Sequence, residues 1–274
     1  MINAWIEKTF TNKLSDKDIL NTISEMLASK ESEELASSPE FHFELSKVNS
    51  EAAFILWQLQ KTKRLSTWIQ SKKTPVDVID TQVITTNLFP VLEGHKIIFL
   101  KDGKAYTQPS LKHVPKPMAF RKLEWQEVGS VSKVLLSYSE IELERVLKNE
   151  ILFIAAIIAG AKFKSYQLAR AYAEKRIQGG RAIKDWSSVQ NLLSELHLSI
   201  KVDEVLVKNL NTDTAYALLK TADEFVSQNM QVLGGAGYTE DYGVERLYRE
   251  CIFLKNWPRP FKQELIHHYQ ASTK

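Results

Sequence analysis

Residues 231–250 read QVLGGAGYTEDYGVERLYRE. A helical run into Leu233 is broken by Gly234, Gly235 and Gly237, and a second helix-like run with Val244 and Leu247 starts a few positions later. Glycine takes positive φ without strain and lets a backbone approach another molecule closely. The corner is therefore either a cradle for a ligand or a plain helix–loop–helix turn. It is not a G-x-G-x-x-G dinucleotide fingerprint, because Glu240 stands where the last glycine would be and no strand-like run precedes it. It is not a P-loop either, since no G-K-[ST] follows.

Working upstream, helical spacing predicts a helix from about Thr212 to Leu233. Another is predicted after Asp185, a suitable N-cap, with Val189, Leu192, Leu193, Leu196 and Ile200 on one face. A longer helix is expected over about 140–176, ended by Gly179-Gly180. Downstream, Val244 to Leu254 reads as a short helix with Cys251 in its apolar pattern, and a last helix follows Pro258 and Pro260. Trp257 beside that break reads as a packing residue.

Ahead of these helices the character changes. From about 76 to 138 the chain holds short strand-like pieces: VDVI, TQVITTNLF, HKIIFL, AYTQP and KVLLSY. Asp102-Gly103 between two such runs in KIIFLKDGKAYTQ predicts a hairpin. Residues 1–72 read as helical again, with a capped start near Ser15 and a second helix over Ser50 to Gln70. The polar stretch SKESEELASSPEF between them, with Pro39, reads as a connection. The expected fold class is mainly α with a small β-domain, divided as 1–73 (helical), 74–138 (small β-sheet domain) and 139–274 (C-terminal helical bundle).

Composition narrows the function. The 274 residues are 44% hydrophobic and 25% charged, with twelve Phe, nine Tyr and six Trp, enough for a substantial core in a soluble globular protein. A net charge of +3 points to neither nucleic acid nor an anionic membrane as a bulk electrostatic partner. A single cysteine excludes an intramolecular disulfide framework and a cysteine-rich zinc site. The start MINAWIEKTFTNK lacks a secretory apolar core, and ILFIAAIIAG at 151–160 is short for a bilayer span, so a cytoplasmic location is expected. No metal site is expected: His267 and His268 are adjacent and point about 100° apart on a helix, and His42, His95, His113 and His197 are scattered.

Over about twenty positions, QVLGGAGYTEDYGVERLYR resembles the near-C-terminal signature of the acyl-CoA dehydrogenase family. YAEKRIQGGRAIKDWSSVQ at 172–190 resembles that family's Y-A-x-x-R-x-x-F-G-x-x-I segment. The resemblance implies an acyl-CoA dehydrogenase-like fold with reduced N-terminal and middle domains, and FAD as cofactor, bound partly across a subunit interface. By position it implies that Arg176 contacts the FAD diphosphate, and that Gln231 with the backbone of Gly234 and Gly235 meets the adenosine half. An arginine's forked donors suit phosphate oxygens; the bland alternative is a solvated arginine at a helix end.

The chain also departs from the family. Gly179 replaces the aromatic residue of R-x-x-F-G, and the flavin-ring motifs T-E-P-x-x-G-S-D and W-I-T are missing. Pro258 occupies the position of the usual catalytic glutamate, and proline does no acid–base chemistry. In relatives resembling the isovaleryl- and long-chain-specific enzymes the base lies on the helix leading to the arginine, and the matching position here is Glu150, at the edge of ILFIAAIIAG. The alternative for Glu150 is a surface residue in the charged LERVLKNE run. The neighbouring CoA-binding arginine is Ile151 here.

Three functions stay open. The first is an FAD-dependent acyl-CoA dehydrogenase-like oxidoreductase, removing hydrogen across the α,β bond of an acyl-thioester with Glu150 as base. The second is a catalytically inactive or flavin-free acyl-CoA-binding or assembly subunit of the same fold. The third, hydration or proton transfer on this scaffold, has no specific support. The partners implied are acyl-CoA or another acyl-thioester, and a second copy (dimer or tetramer) or a paralogue.

Overall fold

A computed structural model describes residues 36–68, 150–257 and 261–273, the backbone of seven strands between 76 and 137, and the single positions Ile6, Thr22 and Ala119. The predicted helix near Ser15 and the Pro258 position lie outside the described residues. The chain divides into two compact units, residues 1–54 with 151–255, and residues 55–150 with 256–274.

In the first unit the helices are α1 (Pro39–Val48), the start of α2 (Ser50–Trp68), α3 (Glu150–Lys175), α4 (Ser187–Lys208), α5 (Thr212–Lys220), α6 (Ala222–Leu233) and α7 (Val244–Lys255). The core is built round α3, whose residues Phe153 to Lys162 are all buried. A helix apolar on every side has no solvent face to offer and must be enclosed. By length and composition α3 could cross a membrane; its apolar half is instead enclosed by protein.

Two close approaches fix α3 in place. At Gly160 a Cβ would stand 2.5 Å from the Phe43 carbonyl oxygen and 2.5 Å from Ser46 Cβ, so only glycine lets α1 cross here. At the same crossing Ser46 Oγ donates to the Ile157 carbonyl at 2.6 Å. Farther along, Lys162 is fully buried and satisfied from three sides. Its Nζ lies 2.7 Å from Asp203 Oδ2, donates to Thr221 Oγ1 at 2.9 Å and sits 4.8 Å over the Phe225 ring. Burial pushes the Asp203 carboxyl above its ordinary value, and Lys162 opposes that. Asn229 donates to Ser165 Oγ at 3.1 Å, tying α6 to α3. The fully buried Glu250 accepts a hydrogen bond from Ser50 Oγ, with Arg246 Nε 3.5 Å away. A buried polar or charged group must be paired or hydrogen-bonded to be tolerated, so these pegs specify which helix faces meet.

Four local expectations are corrected. Pro39 does not break a helix; it opens α1 at N1, where its missing N–H costs nothing, and Ser38 caps it by accepting from Phe41 N at 3.2 Å. The long helix ends at Lys175 without glycine, and Gly179-Gly180 turn a small hairpin beyond it. Asp185 lies in a 3₁₀ turn, and Trp186 occupies the N-cap of α4 with no side-chain cap. The predicted 212–233 helix is two helices broken at Thr221, whose hydroxyl is the partner of Lys162; α5 starts with a full capping box at Asn211 and Thr214.

In the second unit, a four-stranded sheet has the order β1 (Val76–Asp80), β3 (Lys96–Lys101), β4 (Lys104–Thr107), β7 (Lys133–Ser137), and a three-stranded sheet the order β2 (Leu88–Val91), β6 (Glu124–Val128), β5 (Leu111–Val114). β1 runs parallel to β3, and the other pairs are antiparallel. The Asp-Gly hairpin forms as expected, with Lys101 opposite Lys104. Pro90 lies on β2, an edge strand of its sheet, where proline's missing donor is tolerable. β5 and β6 were not foreseen: LKHV and EWQEV carry charges and little apolar run, and their pairing is set by partners distant in sequence. The last helix, α8 (Phe261–Ser272), follows the two prolines as expected.

Candidate functional site

The site forms where three elements of the first unit end together. Arg176 follows the last residue of α3, its amide still bonded to the Tyr172 carbonyl at 2.9 Å. Beyond it, β8 (Ile177–Gln178) and β9 (Arg181–Ala182) make a hairpin closed by Ile183 N to the Arg176 carbonyl at 2.8 Å. Its two-residue loop has φ +59 at Gly179 and +82 at Gly180. Two successive positive φ values are what a type I′ turn demands, so both glycines have a backbone reason.

From the other side, Gln231 sits in the last turn of α6, and Gly234 caps that helix at φ +59. The chain then passes through two 3₁₀ turns, Gly234–Tyr238 and Glu240–Tyr242, into α7. Gly237 has a purely structural role, since a Cβ there would meet the Met230 carbonyl at 2.5 Å. Gly234 and Gly235 differ: a Cβ at either would meet no protein atom within 4 Å.

These pieces enclose a cavity of about 700 Å³ lined by Arg176, Gln231, Gly234 and Gly235, with Tyr172, Tyr242 and Trp186 among its walls. Tyr172 and Tyr242 meet edge to face, ring centroids 5.1 Å apart. Arg176 and Gln231 are exposed, and neither side chain has a hydrogen-bond or ion-pair partner among the described residues. Four of the five residues singled out from sequence are thus brought together. Glu150 is not: it is the half-buried first residue of α3, and it does not line the cavity. At 1.5 Å per residue, α3 places it about 39 Å from the Arg176 end.

Sequence reasoning missed Trp186 and Arg181. The Arg181 guanidinium lies 3.9 Å from the centroid of the ring of Trp186, which lines the cavity. The available signal was an aromatic residue seven positions after a glycine that stands where the family pattern has an aromatic. Cys251 is buried as expected, and burial pushes its thiol far up, so it is an inert core residue. His197 lies near the Tyr166 hydroxyl, and among the described residues no cluster of His, Cys, Asp and Glu could hold a metal.

A helical bundle built round a buried α3, with a glycine corner facing an arginine hairpin, together with a β-containing unit, defines the acyl-CoA dehydrogenase type of fold. Butyryl-CoA dehydrogenase from Megasphaera elsdenii matches it with a TM-score of 0.70 at 14% identity, over 98% of this chain and 92% of that one. A glutaryl-CoA dehydrogenase from Mycobacterium smegmatis, solved in complex with FADH2, matches at 0.65 and 12% identity, over 94% of each chain. In sequence, residues 142–257 match the family model for the acyl-CoA dehydrogenase C-terminal domain. A probable acyl-CoA dehydrogenase of Bacillus subtilis, YngJ, is 29% identical over 115 residues, 37% of this chain and 30% of the relative's length. Residues 142–257 are thus similar in sequence to the C-terminal domain of acyl-CoA dehydrogenases, and the fold is of the acyl-CoA dehydrogenase type, while in sequence the chain spans less than a third of that curated relative's length.

Proposed function

We propose that the protein is an FAD-dependent oxidoreductase that removes hydrogen across the α,β bond of an acyl-thioester such as an acyl-CoA. The observation that carries this reading is the convergence of Arg176, Gln231, Gly234 and Gly235 on one cavity from segments far apart in the chain. The residues present fit a dinucleotide. Arg176 offers an uncommitted fork of donors to a diphosphate. The bare faces of Gly234 and Gly235 leave open the volume that a side chain would fill. A relative of the same fold holds a reduced flavin dinucleotide, which favours the same group here.

When bound, FAD would accept the hydride that leaves the substrate β-carbon. Glu150 is the residue assigned to take the α-proton onto its carboxylate. It stands in the first turn of α3 and is partly shielded from water. The length of α3 puts Glu150 and the Arg176 cradle too far apart to serve one cofactor from one chain. The reading therefore includes a homo-oligomer in which one copy supplies the base and another the diphosphate cradle.

The absorption spectrum of the purified protein, before and after adding FAD and desalting, tests the proposal. Retained flavin bands are expected, and Arg176→Ala should weaken FAD binding on the order of tenfold to a hundredfold, the worth of a hydrogen bond to a charged group. Glu150→Gln should then abolish turnover of acyl-CoAs and leave the flavin bands intact. A flat spectrum unchanged by excess FAD would overturn the redox reading. A second reading, a binding or assembly subunit without chemistry, is favoured by the proline at position 258 and by the absence of any carboxylate, histidine or lysine among the described residues lining the cavity. Bound flavin with no turnover on any acyl-CoA would select it.

A further inference from the structure

The hairpin after Arg176 is folded down onto one side chain. A Cβ at Gly179 would stand 3.0 Å from Cζ2 of Trp186, so the benzo edge of the indole occupies space that any other residue at 179 would take. On the next strand Arg181 stacks its guanidinium on the indole at 3.9 Å. Trp186 is nevertheless 38% exposed and lines the cavity beside Arg176 and Gln231. It also occupies the N-cap of α4 with no side-chain cap, where Ser, Thr, Asp or Asn would stabilise the helix by about 1 kcal/mol. A half-exposed indole held by a glycine turn and a stacked cation, at a position that local stability would give to a small polar residue, is placed for contact with something in the cavity.

The chemistry of the walls says which part of a dinucleotide that is. The described residues lining the cavity include no carboxylate, histidine or lysine to remove a substrate proton at neutral pH. The reacting flavin ring has no business at such a site, whereas a purine needs only a π face and neighbouring hydrogen-bond groups. Resting on the FAD reading above, we propose that Trp186 is the stacking platform for the adenine of the cofactor. Arg181 backs its far face, Gly179 seats its edge, and the aromatic surface absent at position 179 is supplied from position 186. Arg181 and Gly179 act through Trp186 and are positioning residues.

Calorimetric titration of the full chain with FAD, ADP and inorganic pyrophosphate separates the base from the diphosphate. Trp186→Ala should weaken ADP on the order of tenfold, the usual loss when one stacked base loses its aromatic partner, and leave pyrophosphate binding unchanged. Trp186→Phe should retain most of the ADP affinity. Gly179→Ala, whose Cβ displaces the indole, should also weaken ADP, and the loss should not add to that of Trp186→Ala, because both remove one contact. Unaltered thermal unfolding of Trp186→Phe guards against a folding defect. Unchanged ADP binding in Trp186→Ala, or an equal loss of pyrophosphate, overturns the platform and leaves the FAD reading standing. Failure of the wild-type chain to bind FAD, ADP and pyrophosphate overturns both.

Discussion

Replacing Gly160 with alanine tests the packing that holds α3 at the centre of the bundle. In an exposed helix the substitution would stabilise by about 1 kcal/mol through helix propensity. Here the new Cβ would lie 2.5 Å from the Phe43 carbonyl oxygen and from Ser46 Cβ, and 3.0 Å from Lys47 N. Ordinary contact needs about 3.5–4.0 Å, so α1 must retreat by roughly 1 Å. Two of the crowding atoms are backbone, and no rotamer change relieves them. Overpacking of this kind costs about 1–3 kcal/mol. The retreat also stretches the Ser46–Ile157 hydrogen bond, 2.6 Å in the structure and worth about 1 kcal/mol. Summed against the propensity gain, Gly160→Ala should destabilise by about 1–3 kcal/mol, a fall in Tm of roughly 2–4 °C for each kcal/mol. Urea and thermal unfolding followed by helical circular dichroism would measure it, with Ser46→Ala as the control that removes the hydrogen bond alone. A variant as stable as the wild type, or more so, would refute the close crossing and the packing argument built on it.

Two further predictions concern the buried ionisable groups. Lys162→Met should cost about 3–5 kcal/mol, because it leaves Asp203 buried and unpaired, whereas Lys162→Met with Asp203→Leu should recover most of that loss; a single variant costing under about 1 kcal/mol in urea unfolding would show that the pair is not desolvated. For Glu250, burial raises the carboxyl above its ordinary 4.5, opposed by Arg246, the Ser50 hydrogen bond and Arg249. The folded state then keeps a proton that the unfolded chain has already released. Its contribution is full below that ordinary value and is lost as pH rises through the folded one. Glu250→Gln should flatten the fall in Tm between acid and neutral pH, with Asp203 left to act in both proteins, and an unchanged slope would contradict the assignment.

How much could be read in advance depends on how local the cause was. The hairpin at Asp102-Gly103 follows from a turn that suits two residues and little else, and it pairs as expected. The run Phe153–Lys162 of α3, nearly all apolar and short for a bilayer span, is enclosed by protein on every face, as its composition suggests. Capping went wrong for the same reason in reverse. Asp185 is a better N-cap than Trp186 on local grounds, yet Trp186 takes the position because its ring is held by Gly179 and Arg181. Thr221 interrupts a run of good helix periodicity while its hydroxyl is engaged by Lys162, a residue of another helix.

The sequence by itself pointed to the acyl-CoA dehydrogenase type of fold, through the glycine corner and the arginine segment, and with it to a mainly helical chain and four residues that do meet at one cavity. Those signals survive in one dimension because each is a backbone necessity: positive φ at Gly234, closeness at Gly237, a tight turn at Gly179-Gly180. Only the tertiary structure decided what depends on distance between remote parts of the chain. It put Lys162 against Asp203 and Ser50 against Glu250, brought Trp186 to the cavity wall, and set the proposed base a full helix length from the cradle. Such choices are made by desolvation and close packing, which act between side chains whose separation in space the sequence does not state.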